Sequence, residues 1–354
     1  MAFSIYAAKP EDGKELTRIL ESSTSNGLAD LIYTRRPDAY ESYMKEPGEA
    51  RVFVARTDGR VICTCAELVR NVYLGGKESK AAYICGFKKD PGHPGNAGIS
   101  AHMIRELQRD DIRFYYFGVL SDNEKAKAMF EKKMSLLSIK QVVSFQTYIL
   151  NPNVRIKAPK HSFTFRQARE DDLPLILAFL NAEGRKKDLF PVVNSLEPFY
   201  NLHAEDFYLL MNGEEILSCA ALWDSTSYKQ YVVKKYSKLA KIARIANPIV
   251  SALGYVKLPK ENSPLRFPTL SFFVTKNDEP DYYFIMLNEI RKEVAKTYGI
   301  YVFDVPDGHF AKTVLDKLPR ICFGTTMYSI QFPWSTQPYT DPDPGHISVE
   351  RGLL

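Results

Sequence analysis

The sequence predicts an α/β (α+β) fold built twice along one chain. Three observations carry that expectation. A short strand, an acidic turn and a helix open both halves, an apolar hairpin follows in each, and a strand–helix–strand–helix run comes after the hairpin in each. The chain has 354 residues, enough for about two domains of roughly 150 residues.

The opening segment Phe3-Ser4-Ile5-Tyr6-Ala7-Ala8 alternates like an edge strand, and Pro10-Glu11-Asp12 leads into a helix with Leu16, Ile19 and Leu20 on one face. Phe163 to Ala168, Asp171-Asp172, and then Ile176, Phe179 and Leu180 repeat the pattern 160 residues later. The stretch from Val52 to Ala66 reads as two apolar strands around an Asp58-Gly59 turn, and Phe207 to Ala220 as two around Asn212-Gly213. Cys65 and Cys219 fall at matching places in the two hairpins and read as small core residues.

Lys80 to Met134 is the stretch that carries chemistry. A strand, Ala81 to Phe87, is followed by a turn-rich loop from Lys88 to Gly98 with three glycines and two prolines. A helix then carries Ile99, Met103, Ile104 and Leu107 at helical spacing, and a second strand runs from Ile112 to Leu120. Ser121-Asp122-Asn123-Glu124 supplies capping residues for another helix with Ala126, Met129 and Phe130 inward. A glycine-rich loop between strand and helix lets backbone approach a ligand, and the helix N-terminus offers free N–H groups to a phosphate. The same composition also suits an ordinary surface turn.

Gly98-Ile99-Ser100-Ala101-His102-Met103-Ile104 resembles the end of the coenzyme A loop of GNAT-type N-acetyltransferases, Gly-Ile-Gly-x-x-Leu-Leu. Asn123-x-x-Ala126-x-x-x-Phe130 is similar to that family's Asn-x-x-Ala-x-x-x-Tyr. There are two departures: Gly95 stands where the motif begins with Arg or Gln, which weakens the case for tight cofactor binding, and Phe130 replaces the usual acid tyrosine. The resemblance implies two GNAT-like domains, each a mixed, mostly antiparallel twisted sheet flanked by helices. It further implies acetyl-CoA as cofactor, held by Phe87, Lys88, Gly95, Asn96, Ala97, Gly98, Ile99, Ser100, Asn123 and Phe130, with the pantetheine arm between two splayed strands.

The second half repeats the run through Thr269–Thr275, a helix over Tyr283–Tyr298, Ile300–Val305 and a helix marked by Phe310, Val314, Leu315 and Leu318. Between its first strand and helix stands Lys276-Asn277-Asp278-Glu279-Pro280-Asp281, with three acids and no glycine, which would repel a pyrophosphate. The expected organisation is therefore a cofactor-binding half over 1–152, a proline-containing linker, and a second half over 161–332 with a degenerate loop. A tail over 333–354, apolar at its end, is expected to pack on the body. The second half also carries an insertion over 225–266 in which Lys234, Lys235, Lys238, Lys241 and Arg244 alternate with Leu239, Ile242, Ile245, Ile249 and Leu253. Its leading reading is a helix covering core with its apolar side while its lysines stay in water; a membrane surface, an acidic partner or the cofactor groove are the alternatives.

Composition is that of an ordinary soluble domain pair, 45% hydrophobic and 25% charged. The net charge of +5 suits a small anionic ligand and is too mild to indicate nucleic acid. Five cysteines without C-x-x-C spacing point to free thiols in a reducing cytoplasm, not to a disulfide framework or metal site. No signal peptide and no run of about 20 apolar residues stands out, so no membrane partner is expected. His102 and His309 lack partners at metal-ligand spacing, and His93 reads as a solvated turn residue with a phosphate contact as the alternative.

Acyl transfer to an amine needs a held thioester, a stabilised carbonyl oxygen and a route for the amine proton. Glu67 and Tyr83 are the two candidate catalytic groups near the expected cleft, and each reads more readily as structural. Ser121 and Tyr116 are weaker substitutes for the missing acid, and Cys85 reads as a core thiol more readily than as a nucleophile. The expected activity is acetyl-CoA-dependent N-acyl transfer to an amine on a small molecule or peptide. A catalytically silent protein that holds coenzyme A or another ligand is the alternative; the sequence does not indicate an oligomeric state.

Overall fold

The computed structural model describes residues 3–24, 29–93, 97–131, 137–335 and 339–354. The first half runs β1 (Ser4–Ala7), α1 (Gly13–Leu20), β2 (Ala29–Thr34), α2 (Ala39–Met44), β3 (Glu49–Thr57), β4 (Arg60–Leu74), β5 (Lys77–Lys89), α3 (Ala97–Leu107), β6 (Phe114–Leu120), α4 (Glu124–Glu131) and β7 (Ser138–Leu150). The second runs β8 (Thr164–Gln167), α5 (Leu173–Gly184), β9 (Phe207–Asn212), β10 (Glu215–Trp223), β11 (Gln230–Tyr236), α6 (Lys238–Ile245), α7 (Asn247–Ala252), β12 (Thr269–Thr275), α8 (Pro280–Thr297), β13 (Tyr301–Pro306), α9 (Lys312–Leu315) and β14 (Arg320–Gln331).

The expected hairpins form. Asp58 and Gly59 both take positive φ, 46° and 77°, between β3 and β4, as a two-residue turn matched to strand twist requires. Helices cover both faces of each half's sheet. On one face of the first half, Ile99, Met103, Ile104 and Leu107 of α3 pack on Cys65, Val69, Ala82 and Ile84. On the other, Leu16, Ile19 and Leu20 of α1 and Tyr43 of α2 pack on Val52, Val54, Ala66 and Leu68. In the second half α8 covers one face through Met286, Ile290 and Val294, and α5 covers the other through Ile176 and Leu180.

The two halves share one twelve-stranded sheet in the order β1-β3-β4-β5-β6-β14-β7-β13-β12-β10-β9-β8. Two neighbouring pairs are parallel, β5 with β6 and β12 with β13, and the other pairs are antiparallel. The last strand of each half lies on the other half's side of the join: β14 pairs with β6, and β7 pairs with β13. Between them β7 and β14 run antiparallel from Ser138↔Gln331 to Leu150↔Arg320. A separate ribbon forms from β2 and β11, so the insertion in the second half pairs with the first half.

The insertion corrects its sequence reading. Ala240 and Ala243 of α6 pack toward Val233, Tyr236 and Leu258, while Leu239, Ile242, Ile245, Ile249 and Leu253 stand exposed. The inward stripe is made of small residues, so the large apolar side chains cover no core of this chain.

The C-terminal segment enters the body where β12 and β13 part. Their parallel pairing is confined to Thr269↔Val302, and just beyond it the Glu350 carboxylate accepts the Phe272 N–H at 2.6 Å. Arg351 reaches Asp304 of β13 at 3.5 Å, and Leu353 is buried with Trp223 and Phe272. Gly352 is required there, because a Cβ would lie 2.4 Å from the Trp223 ring and 2.7 Å from the Ser271 hydroxyl. Replacing Gly352 with Val should lower unfolding free energy by ~1–3 kcal/mol through overpacking, read by urea titration against wild type. Unchanged stability would mean that the tail does not sit in this wedge.

Candidate active site

In the first half the equivalent gap is framed by the elements that the sequence singles out. The parallel ladder of β5 with β6 has three pairs, Ala81↔Phe114, Ala82↔Tyr115 and Tyr83↔Tyr116. Both strands continue, to Lys89 and Leu120, so they diverge beyond Tyr83 and leave a cleft in the sheet. A bulge accentuates the bend: β5 slips register on β4 between Cys85 and Lys88, and Gly86 sits at φ 61°. Only glycine fits, since a Cβ would lie 2.2 Å from the Tyr43 hydroxyl oxygen.

Around this cleft the expected cofactor residues fall as follows. Gly95 and Asn96 lie outside the described residues. Ala97 begins α3, Gly98 is exposed, and Ile99 and Ser100 are buried in the helix's first turn. That turn carries no acid, so the positive potential of its N–H groups is not cancelled. Asn123 caps α4, its Oδ1 accepting the Ala126 N–H at 3.1 Å. Phe130 lies in α4, and its side chain is outside the described residues. Phe87 packs at the edge of the α3 core. The Lys88 ammonium donates to the Leu20 carbonyl at the end of α1, and burial lowers its pKa.

Glu67 and Tyr83 are not brought together. Glu67 is fully buried beside Arg51, which donates to its Oε2 at 2.6 Å and also reaches the Leu107 carbonyl at the end of α3. Burial pushes the Glu67 carboxyl up to about 7 against the pull of Arg51. Tyr83 belongs to the opposite face of the sheet, at the point where β5 and β6 part, 5.2 Å from the Tyr116 ring. Burial raises its hydroxyl well above the ordinary tyrosine value. Tyr33, Cys85, Tyr116 and Tyr231 lie within its electrostatic reach, so the β2–β11 ribbon stands over this end of the cleft. Burial lifts the Cys85 thiol to about 11, which suits a core thiol and not a nucleophile.

A buried charge cluster beside Cys85 was not singled out by sequence reasoning. Glu46 accepts from Arg35 at 2.6 Å and from Arg70 at 3.2 Å, and the Lys229 ammonium lies 3.3 Å away. Arg35 and Glu46 follow β2 and α2, Arg70 lies on β4, and Lys229 precedes β11. Lys229 also donates to the Gly352 carbonyl at 2.8 Å, tying insertion, first half and tail to one point. Burial alone would raise Glu46, but Lys229, Arg35 and Arg70 outweigh it and hold the carboxyl at about 2. Burial brings Lys229 down to about 8, with Glu46 resisting and the two arginines assisting. The only local sign in the sequence was the bare run of charges Arg35-Arg36 before Pro37.

Among the described residues no group of three or more His, Cys, Asp and Glu could hold a metal. Among the described residues no helix is long and apolar enough to cross a membrane.

A duplicated half, a mixed sheet and a bulged strand diverging from its parallel neighbour together define a tandem GNAT-type fold. Among solved structures, the chain is similar to Saccharomyces cerevisiae N-myristoyltransferase with bound myristoyl-CoA, with TM-score 0.60, 9% identity, and coverage of 98% of this chain and 89% of that one. It is also similar to a GCN5-related N-acetyltransferase from Anabaena variabilis, with TM-score 0.54, 12% identity, and coverage of 94% and 73%. A conserved Enterococcus faecalis protein of unknown function matches with TM-score 0.52 and 10% identity over 94% of this chain and 73% of that one. No protein-family model and no curated protein matches the sequence.

The cluster has a stability signature. Glu46 titrates at about 2 when folded, against 4.5 for the free side chain. Its contribution is therefore present above pH 4.5 and is lost as pH falls through about 2. Replacing Glu46 with Gln strands three cations and should destabilise by ~3–5 kcal/mol at pH 7. In urea titrations, the gap to wild type should narrow between pH 4.5 and 2. A gap that does not change with pH would show that Glu46 is not ionised in this cluster.

Proposed function

We propose that the protein is an acyl-CoA-dependent N-acyltransferase that uses the first-half cleft for its thioester and transfers directly to an amine of a small molecule or peptide. The observation that carries this reading is the contrast between the two clefts. In the first half β5 and β6 part around a bulge that only Gly86 permits, with the acid-free start of α3 at the mouth. In the second, Glu350 to Leu353 fill the corresponding wedge, and the preceding loop is acidic. The solved N-myristoyltransferase with its bound myristoyl-CoA shares the fold, which supports a coenzyme A thioester as donor.

In this reading the N–H groups at the start of α3, Gly98 to Ser100 with the preceding Gly95 to Ala97, meet the pyrophosphate. The bulged backbone from Cys85 to Lys88 lies along the arm, with Asn123 at the far wall. Tyr83, where β5 and β6 part, is assigned the donor to the thioester carbonyl oxygen or the departing sulfur. Three buried cations around one carboxylate leave an excess of positive field beside Cys85. That field favours charge building on the carbonyl oxygen, and it lowers the pKa of an acceptor ammonium, which must shed a proton to attack. Glu67, on the α3 face and bound to Arg51, orders the strand and the end of that helix; the acceptor would have to reach it through water. Acetyl is the donor group that the loop motif suggests, and the free thiols suit a cytoplasmic setting.

Calorimetric titration with acetyl-CoA and myristoyl-CoA tests the site. Gly98 is exposed, and a Cβ there meets no atom closer than 3.6 Å, so Gly98→Glu should fold normally. It should bind either thioester roughly tenfold or more weakly, because a carboxylate then opposes the phosphates. Tyr83→Phe should leave binding in place and cut thiol release across an amine panel by roughly 10- to 100-fold. Binding without turnover on any amine would favour a silent coenzyme A-binding protein. No binding of either thioester, or binding indifferent to Gly98→Glu, would overturn the cofactor placement.

A further inference from the structure

Helices α6 and α7 present an unusual surface. Ten large apolar side chains stand exposed among the described residues, and six of them lie between Leu239 and Tyr255. Leu239, Ile242, Ile245, Ile249 and Leu253 are 79, 65, 85, 67 and 65% exposed, while the other four, outside this segment, lie between 37 and 44%. A helix that covered a core would turn its leucines and isoleucines inward and leave alanine out. Here the order is reversed: Ala240 is fully buried against the ribbon and its branched neighbours face water.

The hairpin is held in this pose by specific bonds. Asn247 exchanges hydrogen bonds with Leu258, donating at 2.9 Å and accepting at 3.0 Å. Asn151, just after β7, donates to the Tyr255 carbonyl at 3.0 Å. These bonds tie the start of α7 to the segment that follows it, and that segment to Asn151.

Charge selects the occupant. Lys234, Lys235, Lys238, Lys241, Lys257 and Lys260 are exposed around these helices, and no acid occurs between Asp224 and Glu261. Glu261 is taken up by Lys241 at 3.6 Å. Arg155 and Lys157 on the linker, exposed beside Val154, which abuts Gly254, extend the basic rim. Aliphatic side chains at the centre, a half-exposed tyrosine and a wide belt of lysine match a bilayer interface with anionic headgroups.

We infer that the α6–α7 hairpin docks the protein on an anionic lipid surface, its isoleucine and leucine side chains entering the headgroup–acyl boundary and its lysines meeting the phosphates. Such docking needs no spanning helix. The expectation of no membrane partner rested on the lack of a spanning run, and surface docking does not depend on one. The inference stands on this surface alone and is independent of the cofactor cleft.

Flotation of the full chain with phosphatidylcholine vesicles, with and without about 30% phosphatidylglycerol to supply anionic headgroups, tests it directly. Wild type should float with the anionic vesicles, less so at high salt, and remain below with the neutral ones. Ile242→Asp combined with Ile249→Asp should partition at least about tenfold more weakly, with a thermal melt unchanged because both side chains are exposed. Lys238→Glu with Lys257→Glu, a charge-only variant, should weaken partitioning by a similar factor without touching the apolar face. Failure of wild type to float with anionic vesicles, or flotation of both variants equal to that of wild type, overturns the inference. So does sedimentation showing a wild-type dimer that the double aspartate variant splits, because the face would then belong to a second copy of the chain.

Discussion

The ladder between β7 and β14 is the constraint on which the rest of the architecture depends. Each strand is the last of its half, and each lies across the join from the bulk of that half. Their long antiparallel pairing makes two similar halves into one sheet. It also fixes the distance at which the second half's insertion can lay β11 beside β2 and send Lys229 to Glu46. The tail, which follows β14 in the middle of the sheet, can then reach the wedge of the second half.

Duplication usually leaves two copies of a site, and here the copies differ at the same place. Both halves keep a parallel strand pair that parts early. Both bend the strand at the parting point, at Gly86 in one and at Phe272, φ 50°, in the other. A glycine leaves backbone free to face a ligand, whereas Phe272 fills the space with a fully buried ring. The main-chain N–H exposed by that bend is taken by the chain's own Glu350. Thus the second-half wedge is sealed from within by the tail, whereas the first-half bend carries no side chain of its own at Gly86.

Much of the frame was legible from local pattern. Asp-Gly and Asn-Gly turns marked both hairpins, and three-and-four spacing marked α1, α3, α5 and α8, because these signals depend on neighbours in sequence. The long strands β7 and β14 were missed: each finds its register only on a partner from the other half, and nothing nearby encodes that pairing. The charge cluster was invisible for the same reason. Arg35, Glu46, Arg70 and Lys229 come from four separate segments, and each looks like ordinary surface charge until the fold buries it. The amphipathic insertion was recognised, yet its facing was not. Period gives the two sides of a helix, and only the neighbour's packing distance decides which side turns in. Glu67 and Tyr83 illustrate the remaining difficulty, since strand parity across the bulged β4–β5 pair put them on opposite faces.

The crossed arrangement of β7 and β14 also sets an order of events during synthesis. β7 is complete at Leu150, but its long partner starts at Arg320, 170 residues later. At a translation speed of ~5–20 residues per second, the first half waits roughly ten to thirty seconds with the edge of β6 bare. An apolar strand edge left open that long is a template for mispairing. The two halves can thus close into one sheet only after β14 has been made.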